Sequence, residues 1–249
     1  MQEKGRGELR LIAKEHERTA WIWDLKDDEL RFIGHLSYGV VTPEEGVVWS
    51  PDGKYVALPC SELSGKGDTK QIFVINVENG ECKRLTSFVG YNAYPEWSPD
   101  SSKIMYLRVP PEYWWMPSSL DYDVGYDVWV VDIDGSNEKQ LTNIPNNWEA
   151  GFWRPDGSKI VYASWKKSGM GVDETQEIGI WIMNADGSDK KLLTKVVTEF
   201  IESMEWSSDG SKTAVVTWEW ELSEIDRDIY VIDVPAVDEE MKSENQNDR

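Results

Sequence analysis

Short runs of alternating apolar and polar residues recur along this chain, each bounded by a polar turn. An alternating strand is predicted over residues 54–58, 103–107, 159–163 and 212–216, and a longer apolar strand over 71–77, 127–132, 179–183 and 228–234. The first strand of each pair follows a repeated turn. Its copies are Trp49-Ser50-Pro51-Asp52-Gly53, Trp97-Ser98-Pro99-Asp100-Ser101, Trp153-Arg154-Pro155-Asp156-Gly157 and Trp206-Ser207-Ser208-Asp209-Gly210. The marker tryptophans are 48, 56 and 53 residues apart. A Gly-containing turn and a strand ending in Leu-Thr close the unit, at Leu85-Thr86, Leu141-Thr142 and Leu193-Thr194.

A fainter unit precedes the first marker. Residues 8–14 and 20–25 read as its second and third strands, Asp27-Asp28 as a turn and 29–34 as its fourth strand, with Ile33-Gly34 where Leu-Thr stands elsewhere. The last unit stops after its third strand. The pattern therefore predicts an all-β chain of four-stranded antiparallel blades, the architecture of a β-propeller. Five units are recognisable, at about 8–37, 38–90, 91–146, 147–198 and 199–234, with an incomplete first and last blade. Missing strands in different blades point to a fragment or an open array within a propeller domain spanning 1–234. Residues 235–249 are acidic and polar and read as a disordered tail.

The repeated turn has a mechanical reading. Proline presets φ, aspartate caps neighbouring N–H groups, and glycine accepts a positive φ. The tryptophan before it is expected to fill space between blades. The turns 132–137 and 184–189 resemble the start of a calcium loop but lack the closing glutamate, and read as hairpin turns.

Composition narrows the function classes. A net charge of −20 argues against a phosphate backbone or an anionic membrane surface as partner. Cys60 and Cys82 fall on the second and fourth strands of one blade, too far apart to bridge, so two free, half-buried thiols are expected. No signal peptide and no membrane-spanning stretch is visible, so the default expectation is a cytoplasmic chain without membrane insertion. His16 and His35 accompany no nucleophile elbow, two Cys and two His at these spacings form no zinc set, and there is no phosphate loop. No catalytic residue, metal site or cofactor is called for. Glu44, Glu45, Glu96, Glu149, Glu202 and Glu205 fall on or near first strands, which line the channel of a propeller, and read as ordinary strand-end charges.

The turns resemble the TolB-like, WD40-like propeller repeats named PD40 after their Pro-Asp core. Trp49–Leu58 with Ile72–Thr86, Trp97–Leu107 with Val128–Thr142, and Trp153–Ala163 with Ile180–Thr194 carry the resemblance. The fourth copy departs from it at Ser208. The resemblance implies the fold and leaves the function open. Such repeats occur in periplasmic translocation proteins, in the gating propellers of prolyl-oligopeptidase-like serine peptidases and in binding proteins. The small N-terminal α/β domain of TolB has no counterpart here.

The variable material lies in the links 59–70, 108–126, 164–178 and 217–227, on the face that also receives the inter-blade links. Tyr113, Trp114, Trp115, Tyr122, Tyr126, Tyr91, Trp148 and Trp165 gather there. Aromatic side chains in loops on a rigid scaffold mark a binding face. The expected function is a non-catalytic scaffold for a protein or peptide, with carbohydrate and self-association through open blade edges as further partners. The alternative is the propeller of an enzyme, either a gated serine peptidase or a carbohydrate-active protein.

Overall fold

The computed structural model describes residues 9–14, 19–24, 29–35, 46–64, 67–86, 90–109, 126–143, 151–165, 176–198, 200–221 and 224–235. All regular structure in them is β, in five antiparallel sheets that follow chain order. The chain divides into two compact units, Met1–Ile144 and Pro145–Arg249.

The first unit holds three sheets. Strands β1 (Leu9–Lys14), β2 (Thr19–Asp24) and β3 (Glu29–His35) form the first. Strands β4 (Val48–Trp49), β5 (Tyr55–Ser64), β6 (Gly67–Asn76) and β7 (Cys82–Arg84) form the second. Strands β8 (Asn92–Trp97), β9 (Lys103–Arg108), β10 (Asp127–Asp132) and β11 (Lys139–Gln140) form the third. The second unit holds two sheets. One is β12 (Phe152–Trp153), β13 (Lys159–Trp165), β14 (Gln176–Asn184) and β15 (Lys191–Thr198). The other is β16 (Phe200–Trp206), β17 (Lys212–Glu221) and β18 (Glu224–Asp233). The first and last sheets have three strands each, so this is an incomplete propeller.

Two expected links are strands instead. Residues 59–70 belong to a long hairpin paired from Tyr55↔Asn76 to Ser64↔Gly67, and 217–227 to one paired from Lys212↔Asp233 to Glu221↔Glu224. Their polar composition suggested loops, but a two-stranded ladder satisfies its backbone hydrogen bonds whether or not its faces are covered. Pro59 is tolerated in β5 because β4 pairs no further than Ala57, so its missing N–H interrupts no ladder on that side. The pairing also corrects the alignment of the repeats. Tyr55, not Lys54, corresponds to Lys103, Lys159 and Lys212, since the four face Asn76, Asp132, Asn184 and Asp233 respectively.

The repeated turn behaves as a fastener. Ser50 Oγ donates to Asp52 at 2.7 Å, Asp52 accepts from Lys54 N at 3.0 Å, and Tyr55 N donates to Ser50 Oγ at 3.0 Å. Ser98, Asp100, Ser102 and Lys103 repeat the set, as do Ser207, Asp209, Ser211 and Lys212. Gly53 has φ +69°, and Ser101 in the same slot is held at +62°. Ser101 Oγ accepts from Asp52 N at 3.1 Å and so ties its turn to the preceding one. In the second unit Arg154 Nε donates to Gly210 O at 3.0 Å and makes a similar tie. The hydroxyl and N–H groups that Ser207 and Ser211 aim at Asp209 hold its carboxyl down at about 2.

The marker tryptophans join blades through a polar as well as an apolar contact. Trp97 Nε1 donates to Val48 O at 3.1 Å, and Trp206 Nε1 to Phe152 O at 3.0 Å. Alternation along β5 and β6 then builds two cores from one sheet. Val56, Leu58, Cys60, Phe73 and Ile75 pack on one side. Ala57, Ile72, Val74 and Leu85 pack on the other, against Trp97, Ile104, Tyr106 and Val131 of the next blade. In the second unit Val161, Ala163, Ile178 and Ile180 meet Ile201, Met204 and Val215 in the same manner. Cys60 and Cys82 are free thiols separated by β6. Cys60 is buried rather than half-buried, and burial pushes the Cys82 thiol up to about 11, away from reactivity.

Candidate binding face

The turn from β5 to β6 and the link from β9 to β10 leave their sheets at the end opposite the Trp-x-Pro-Asp turns. Of the aromatic residues expected there, Tyr91 and Tyr126 are described together. Their rings sit 6.3 Å apart, tilted by 55°, and both are half-buried. Trp165 ends β13, on the strand rather than in a loop. Tyr113, Trp114, Trp115, Tyr122 and Trp148 lie outside the described residues, as do the acidic tail from residue 236, Glu44, Glu45 and Glu149. Of the other first-strand acids, Glu96 is half-buried, Glu205 is exposed, and Glu202 is exposed and pairs with Arg227 at 2.7 Å.

Beneath Tyr91 lies a buried polar network that sequence reasoning missed. Lys70, on β6, is 7% exposed; its Nζ donates to Tyr91 Oη at 3.0 Å and sits 4.4 Å from the ring centre. A parallel bridge joins Lys70 to Tyr91, and Val109 N donates to Tyr91 O at 3.0 Å, so the tyrosine backbone is held from both sides. Asn92 then connects the two blades. Its Nδ2 donates to Lys70 O at 2.9 Å and its Oδ1 accepts from Arg108 Nε at 2.7 Å. Arg108, 3% exposed, reaches Glu138 at 2.6 Å and Tyr106 Oη at 2.9 Å, with its guanidinium 4.1 Å from the Trp129 ring centre. Burial raises the Tyr106 hydroxyl far above its ordinary value, so it stays protonated and donates to Glu138 at 2.7 Å.

The Leu-Thr signature belongs to the same end. Thr86 Oγ1 accepts from Ile72 N at 3.0 Å and donates to Gln71 at 2.7 Å, while Leu85 N donates to Ile72 O at 2.9 Å. Thr142 accepts from Val128 N at 2.8 Å and lies 3.4 Å from Asp127, while Leu141 N donates to Val128 O at 2.8 Å. The threonine is thus a latch between the fourth strand and the third. A readable signal for the network existed in the sequence: Lys70, Asn92 and Arg108 are polar or charged residues at the ends of runs whose other members are apolar. Their partners are far along the chain, so the pairing could not be read.

Chemically this arrangement holds and orients. Every polar side chain named above has its partner within the protein, and no nucleophile and base approach one another in it. Among the described residues no group of three or more His, Cys, Asp and Glu side chains is placed to hold a metal. A shallow pocket of about 240 Å³ opens at the other end of the sheets, lined by Tyr55, Asn76, Glu81, Lys83, Ile133 and Asp134, with Lys83 Nζ donating to Asp134 O at 2.6 Å. Its acidic and basic groups converge on no common point.

No protein-family model matches the chain. It is similar to an uncharacterized protein of Agrobacterium fabrum, 24% identical over 176 residues that make up 68% of this chain and 53% of that protein. The chain therefore spans about half the length of that relative. It is also similar to dipeptidyl-peptidase 5 of Porphyromonas endodontalis, 28% identical over 124 residues, 48% of this chain and 16% of the peptidase. Among solved structures, TolB of Acinetobacter baumannii superposes with a TM-score of 0.58 at 18% identity, over 90% of this chain and 51% of TolB. At such identities the likeness shows the fold alone. With the repeated Trp-x-Pro-Asp turns and five successive antiparallel sheets, it makes this chain a TolB-like β-propeller protein.

Proposed function

We propose that the chain is a non-catalytic propeller scaffold that binds a protein or peptide through the face carrying Tyr91 and Tyr126. The observation that carries this reading is the way Tyr91 is mounted. A half-buried aromatic pair rests on a closed network of buried polar side chains, Lys70, Asn92 and Arg108, which fixes its position. Aromatic anchors that are already ordered lose little entropy on binding and dominate contact energy. Trp114 and Trp115 belong to the link that leaves β9 beside this pair. The net charge of −20 favours partners with basic surfaces.

The reading is tested with a displayed library of random peptides selected against the wild-type chain. Clones are expected to lose binding to a Tyr91→Ala, Trp114→Ala, Trp115→Ala variant that retains the wild-type thermal transition. Clones that bind both proteins equally would remove this face from consideration.

A second reading, the propeller part of a peptidase, is favoured by the likeness to dipeptidyl-peptidase 5. It calls for a hydrolase domain in the same reading frame, which sequencing the intact gene on both sides decides.

A further inference from the structure

The last blade carries the third-strand half of the Leu-Thr latch without a fourth strand. Residue correspondence follows from the pairing: Ile229 answers to Ile72, Val128 and Ile180, and Val231 to Val74, Val130 and Ile182. Ile72, Val128 and Ile180 are each 0% exposed, whereas Ile229 is 70% exposed. Val74, Val130 and Ile182 are 4%, 7% and 6% exposed, whereas Val231 is 64% exposed. Strand β18 is the edge of its sheet. Because the register is the same in all four blades, the N–H and C=O of Ile229 point away from β17, as those of Ile72 point away from β5 towards Thr86 and Leu85. Asp228 stands in the position of Gln71 and Asp127, the residues that face the threonine hydroxyl.

We propose that the outer edge of β18 is an acceptor for an extended peptide segment of another polypeptide with basic residues followed by Leu-Thr. The chain's own fourth strands give the template. In the second blade Lys83 lies opposite Val74 and Arg84 opposite Phe73, and Leu85 packs on Ile72 and Val74. A guest strand in that register sets its leucine on Ile229 and Val231. Its leucine N–H donates to Ile229 O, and its threonine hydroxyl accepts from Ile229 N and donates to Asp228. The aliphatic stems of its lysine and arginine lie along the strand. Charge selects the guest. Asp228 and Asp233 are exposed on β18 in a chain of net charge −20, and the fourth strands this protein does possess carry Lys83-Arg84, Lys139 and Lys190-Lys191. Residues 236–249 are a poor guest, because Asp238, Glu239 and Glu240 would meet the β18 aspartates.

The probe is a fluorescent peptide with the sequence of residues 79–88 and Cys82→Ser, titrated into the full chain and read by anisotropy. Saturable binding is expected. It should weaken about tenfold in the Asp228→Lys protein, and by a similar factor when the peptide carries Thr86→Val. It should be unchanged in the Tyr91→Ala protein, which separates this edge from the aromatic face. The substituted positions on β18 are exposed, and the peptide variants leave the protein untouched, so misfolding does not confuse the result. Three outcomes overturn the proposal. One is no saturation up to about 1 mM. Another is equal binding of a scrambled peptide of the same composition. The third is a concentration-dependent dimer that the peptide does not dissociate.

Discussion

Tyr106 in the third blade and Tyr162 in the fourth occupy the same position of the repeat, and both are 0% exposed. Tyr106 Oη meets Arg108 and Glu138. Tyr162 Oη is buried with no hydrogen-bond partner, and burial pushes it up to about 12. Two residues further along, Arg108 corresponds to Ser164, and across the hairpin Asp127 corresponds to Gly179. The blade scaffold is thus indifferent to what the buried tyrosine finds. In one blade the same side chain is a member of a binding-face network. In the other it is held by packing alone, with Trp181 stacked at 6.5 Å.

The largest expected effect breaks the first half of this comparison. Arg108→Ala leaves Glu138, Asn92 and Tyr106 facing one another without their common donor, and removes the stacking on Trp129. Loss of one partner from a buried ion pair costs about 3–5 kcal/mol. Urea unfolding should record it as a lower midpoint with little change in slope, provided the unfolding is two-state. Tyr106→Phe follows at about 1–2 kcal/mol, the cost of removing one member of a satisfied buried network. Tyr162→Phe should have the opposite sign. It deletes a hydroxyl that makes no hydrogen bond and should leave stability unchanged or raise it by up to about 1 kcal/mol. Equal destabilisation by the two Tyr→Phe substitutions would erase the distinction between the blades.

The smallest effect lies at the turn end, where the blades agree. Hydrogen bonds from Ser98 and Ser102 hold the Asp100 carboxyl below its ordinary value. Burial raises that of Asp156, but the bonds from Ser158 and the charge of Arg154 outweigh it. A carboxyl depressed in the folded state contributes stability above its unfolded value near 4, and loses it as pH falls through the folded value. Asp100→Asn and Asp156→Asn should therefore each be slightly less stable than wild type at pH 7. Each should converge on wild type as the pH drops below about 4. A gap that persists in acid would show that the turns depend on the shape of the aspartate and not its charge.

The turn end was readable because its chemistry is local. Ser50 or Ser98 bonds to a residue two positions on, and Gly53 sets its own φ, so a five-residue window contains the whole device. The loop end was readable only as a location. Tyr91 and Tyr126 were found because exposed aromatics near links are conspicuous. Lys70, Asn92, Arg108 and Glu138 were not, because Arg108 finds Asn92 16 residues away and Glu138 30 residues away. The links 59–70 and 217–227 were misread because polar alternation has no burial to betray it as strand.

The sequence by itself determined the repeat, its strands, the incomplete first and last blades and the end of the sheets at which variable material emerges. Each of these depends on periodicity and turn chemistry, which act over a few neighbouring residues. Only the tertiary structure decided which charged residues would be buried, and which of two equivalent tyrosines would have a partner. It alone decided that Ile229 and Val231 would be left exposed where Ile72 and Val74 are covered. Those outcomes depend on what packs against each blade, and packing is settled by residues about 50 positions distant.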